Sequence, residues 1–148
     1  MLKSLAGIRH PDVRALAERA VAFVEGFRWC ERVADCTAAF AVAGIFGVFR
    51  VELTPLFGAD PIIWVVVGDL PAAYIAFEQA DTWQDALEGY VSEMQAWVDA
   101  VRTNAPIEEL IPVNVAPTPQ HADMLASRLA FIRAHFLDVD AASVDSDV

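Results

Sequence analysis

The sequence predicts a small α+β domain: an antiparallel sheet of about three to five strands, flanked by one N-terminal helix and two C-terminal helices in a two-layer sandwich. Three observations carry this expectation. Residues 46–77 hold three consecutive strand-like runs separated by turn signals. Residues 13–24 and 83–101, on either side, repeat apolar side chains at helical spacing. The connections within 46–77 are too short for a helical crossover, so neighbouring strands run antiparallel.

In chain order, Leu2, Leu5 and Ile8 form a short apolar lead-in, and Pro11 suits the first turn of a helix. Val13, Leu16, Ala17, Ala20, Val21 and Val24 recur on one helical face, and Gly26 is a natural stop. Residues 28–40 fit either a second helix or a first strand, with Cys36–Phe40 the most strand-like part. Ile45, Gly47, Phe49, Val51 and Leu53 then alternate with Phe46, Val48, Arg50 and Glu52, the period of a half-buried strand. The stretch TPLFGADP (54–61) is a turn. IIWVVV (62–67) is apolar on both faces, as a central strand covered on both sides would be. Gly68-Asp69-Leu70-Pro71 ends it, and Tyr74–Phe77 suits a further short strand.

Thr82 with Asp85 resembles a capping box opening a long helix. Trp83, Leu87, Tyr90, Val91, Met94, Trp97, Val98 and Val101 form its apolar stripe; Gly89 interrupts it, either for a close backbone approach or as a tolerated defect. Ile111–Val115 suits a sheet edge. Thr118-Pro119 opens the last helix, whose stripe is Leu125, Leu129, Ile132 and Phe136. Residues 1–137 read as one domain. Residues 138–148 hold four aspartates and few apolar groups, and are expected to be a disordered acidic tail.

Composition narrows the partners. Net charge is −11, unevenly spread: residues 1–50 carry seven Lys/Arg against five Asp/Glu (+2), and residues 51–148 three Arg against sixteen Asp/Glu (−13). Such a chain repels phosphate backbones and anionic lipid, so neither nucleic acid nor membrane is expected as a partner. A basic protein surface is the complementary class, and acidity that serves solubility alone is the ordinary alternative. The longest uncharged run, Cys36–Phe49, is fourteen residues, too short to span a bilayer. The N-terminal stretch lacks the apolar core of an export signal, which points to a cytoplasmic location and to reduced thiols at Cys30 and Cys36. An apolar content of 56% is high for a soluble domain and points to surface hidden in a partner or in a second copy. The expected homodimer interface is at least about 1,000 Å² in total, at the sheet edge and the exposed side of the first helix.

No motif specifies chemistry. GxSxG, GxGxxG, GxxxxGK[ST] and HExxH are all absent, and His10, His121 and His135 are widely spaced. No catalytic residue, cofactor or metal is therefore expected. The pocket candidates are Asp69, which ends a buried strand, together with Tyr74 and Tyr90. The ordinary alternative for Asp69 is an Asx-turn carboxylate bonded to nearby backbone.

The segment WVVVGDLPAAYI (64–75), followed by Tyr90, Met94 and Trp97 and by IPVNVAPTPQHADMLASRLAFI (111–132), resembles a family of small bacterial proteins known as a domain of unknown function. The resemblance spans about residues 25–137 and implies no activity, cofactor or catalytic residue. In general character the chain also resembles bacterial immunity proteins, by analogy rather than by motif. Three functional readings follow: a non-enzymatic, immunity-like or regulatory protein that binds a basic surface; a small enzyme or ligand-binding domain with a pocket near Asp69 and Tyr74; or a structural homodimer subunit.

Overall fold

The computed structural model describes residues 7–55, 61–113 and 115–137. It is an α+β fold of one antiparallel sheet with one helix before it in sequence and two after it. In order, the elements are α1 (Pro11–Glu25), β1 (Cys30–Val42), β2 (Phe46–Pro55), β3 (Ile62–Gly68), β4 (Leu70–Ala76), a 3₁₀ turn (Phe77–Gln79), α2 (Trp83–Arg102), α3 (Pro119–Ile132) and a π-helical turn (Arg133–Leu137). The chain divides into two compact units, Met1–Leu87 and Glu88–Val148. The expected tail, 138–148, lies outside the described residues.

In the first unit the four strands form an antiparallel meander in the order β1-β2-β3-β4. Val48 pairs with Val66 and Val66 with Ala73; Phe49 pairs with Val65 and Val65 with Tyr74. These registers sort the two faces of the sheet. One carries Phe49, Val51, Leu53, Ile63, Val65 and Val67. Leu16, Ala17, Ala20 and Val24 of α1 pack onto it, together with Cys30, Val33 and Cys36. Full burial of a Leu or Val here stabilises by about 1.5–3 kcal/mol. The other face carries Phe46, Val48, Trp64, Val66, Ala73 and Ile75, also buried. Burial on both faces explains why β3 is an unbroken apolar run.

The ambiguous stretch 28–40 is strand, and the strand begins at Cys30 rather than near Cys36. The cause of the ambiguity is visible in the register. Pairing with β2 shifts between Cys30 and Arg32, between Val33 and Asp35, and between Ala38 and Phe40. Each bulge inserts an unpaired residue. Cys30, Val33 and Cys36 therefore point to the core at intervals of three, and a bulged strand takes on the spacing of a helix.

Three further expectations are corrected. β4 starts at Leu70, not Tyr74, and Phe77 belongs to the 3₁₀ turn. Pro71 is tolerated because β4 is an edge strand. Ile111–Val113 is not a strand, and the sheet contains only β1–β4 among the described residues. Trp83 is half-exposed rather than core, stacked on Phe40 with ring centroids 4.1 Å apart and planes at 4°.

The helix ends follow local chemistry. His10 caps α1, its Nδ1 accepting from Asp12 N at 3.2 Å. The Thr82 hydroxyl accepts from Asp85 N at 3.1 Å, and the Thr118 hydroxyl from His121 N at 3.3 Å. α2 closes in a Schellman turn: Asn104 adopts φ 58°, and Ala105 N donates to Ala100 O at 2.7 Å.

A Cβ placed on Gly89 would meet no atom within 4 Å, so no close approach requires this glycine. Gly89→Ala is expected to stabilise by about 0.5–1 kcal/mol through helix propensity alone. A urea-unfolding midpoint that does not rise would contradict this.

Candidate functional site

The three pocket candidates lie in different settings. Asp69 sits in the tight connection between β3 and β4 with its carboxyl exposed; its backbone N–H donates to Ile45 O at 2.8 Å. Tyr74 is in the middle of β4, 38% exposed, and its ring leans on Phe27 (5.3 Å) and Trp29 (5.2 Å). Tyr90 lies in the second unit and is completely buried, and this burial pushes its phenol well above the ordinary tyrosine range.

Tyr74 belongs instead to a surface aromatic cluster that sequence reasoning missed. Phe23 meets Phe27 edge-on at 5.1 Å, Phe27 stacks on Trp29 at 4.9 Å, and Tyr74 closes the group. Phe23, Phe27 and Trp29 are half-buried. The available signal was three aromatics within seven residues at the least regular part of the chain.

A second aromatic group lies on the opposite sheet face. Trp64 stacks on Phe77 at 5.6 Å and donates its indole N–H to Ala80 O at 2.9 Å. The Arg50 guanidinium lies 5.6 Å from the Phe77 ring centre and pairs with Glu52 at 2.6 Å. Both charged side chains remain partly exposed, so the ion pair contributes little.

The cysteines are buried free thiols on the α1-covered face. Burial, helped by Asp35, pushes the Cys36 thiol up to about 12; burial, helped by Glu25, raises Cys30. Neither thiol has the low pKa of a reactive cysteine. The histidines serve local structure. His10 is a cap, His121 Nδ1 lies 2.9 Å from Ala116 O, and His135 packs 4.5 Å from the Phe131 ring. Among the described residues no group of three His, Cys, Asp or Glu is placed to hold a metal. No described helix is long and apolar enough to cross a membrane.

The shifts at Cys36 and Tyr90 set an alkaline limit on stability. Both groups are neutral at pH 7, folded or unfolded. Above about pH 9 the unfolded chain begins to lose these protons while the folded chain keeps them. The unfolded state then binds fewer protons, so stability falls as pH rises, by about 1.4 kcal/mol per pH unit for each group in its window. Thermal melts are expected to be level up to about pH 9 and to fall beyond it, with a shallower fall in Cys36→Ala. An unchanged slope in that variant would show that Cys36 is not desolvated.

The second unit presents the acidic surface. Glu88, Ser92 and Asp99 are exposed along one stripe of α2, with half-exposed Gln95 between them and Glu93 on the flank. Gln95 Nε2 donates to Asp99 Oδ1 at 2.9 Å. Arg102 is the only basic residue of α2, and it is held by Asp123 of α3 at 2.8 Å. Glu108 and Glu109 are exposed in the following connection.

No protein-family model matches the chain, and neither a curated protein nor a solved structure matches it.

Proposed function

We propose that this chain is a non-enzymatic interaction protein, of immunity-like or regulatory type, that presents the acidic face of α2 to a basic protein surface. The observation that carries the reading is the charge of that face. Glu88, Glu93 and Asp99 stand in solvent, and the one cation of the helix is already engaged by Asp123. Long-range attraction between this face and a basic partner speeds their encounter.

The test is capture from the native host, followed by titration of the purified partner. A stoichiometric basic protein is expected, bound more weakly as salt rises and lost when Glu88→Lys and Asp99→Lys are combined. A partner bound equally well by that variant, or at high salt, would overturn the reading. So would failure to capture any basic protein.

A further inference from the structure

We draw no further inference here: the strongest candidate, the aromatic cluster of Phe23, Phe27, Trp29 and Tyr74 on the surface of the first unit, is an apolar patch with nothing in the structure to show what covers it.

Discussion

Gly68→Ala is expected to cost about 3 kcal/mol or more, a large fraction of the stability of a domain this size. Gly68 ends β3 at φ 149°, a backbone region that side chains rarely enter. A Cβ there would overlap the Ile45 carbonyl oxygen and lie 2.5 Å from Phe46 Cα. These obstacles are backbone, so no rotamer change relieves them. Relief would require the β3–β4 connection to part from the β1–β2 connection. That movement breaks the 2.8 Å bond from Asp69 N to Ile45 O and draws the Gly68 carbonyl away from Arg19, which donates to it from α1 at 3.1 Å. The loss combines strain and overpacking, each about 1–3 kcal/mol. Gly44→Ala separates the two causes. Gly44 also has positive φ, at 77°, but an added Cβ meets nothing within 4 Å. It should cost only about 1–2 kcal/mol, from strain alone. Denaturant midpoints at unchanged slope decide the order; equal losses at Gly44 and Gly68 would show that the contact between the two connections is not what requires glycine.

The same connection shows where sequence reasoning succeeds and where it stops. Period-2 alternation and an unbroken apolar run identify β2 and β3, because these strands pair regularly and fill both faces of the sheet. Capping chemistry and 3.6-residue spacing identify all three helices, because their ends are held by residues adjacent in sequence. β1 escaped because its bulges change the spacing of Cys30, Val33 and Cys36, and no local signal separates a bulged strand from a short helix. The Tyr74 cluster escaped for a different reason: Phe27 and Trp29 meet Tyr74 only after the sheet has brought residues almost fifty positions apart together. The strand-ending turn at Asp69 and the place of Tyr90 in the apolar stripe are both legible in sequence, and the structure has Asp69 exposed and Tyr90 buried. The acidic stripe was legible because helical period and charge are both written in sequence, although the engagement of Arg102 by Asp123 is not.

Trp97→Ala is expected to destabilise by about 3–5 kcal/mol, the range for removing a large aromatic from a packed interior. Trp97 is 2% exposed and is the largest of the fully buried side chains. Tyr90, Met94 and Val98 of the same helix are each completely buried, so α2 turns one continuous stripe inward and the indole lies within it. Its loss removes more dispersion contacts than the neighbours can recover by relaxing, because packed interiors collapse only partly around a cavity. Trp83→Ala is the internal comparison. Trp83 is half-exposed and gains chiefly from stacking on Phe40, so its removal should cost nearer 1 kcal/mol. Circular dichroism in increasing urea reads both variants without relying on the fluorescence of the residues removed. If the two losses were equal, or if Trp97→Ala cost under about 1 kcal/mol, Trp97 would lie on the wet side of α2. The stripe that includes Glu88 and Asp99 would then rotate inward with the helix, and the acidic binding face would be lost with it.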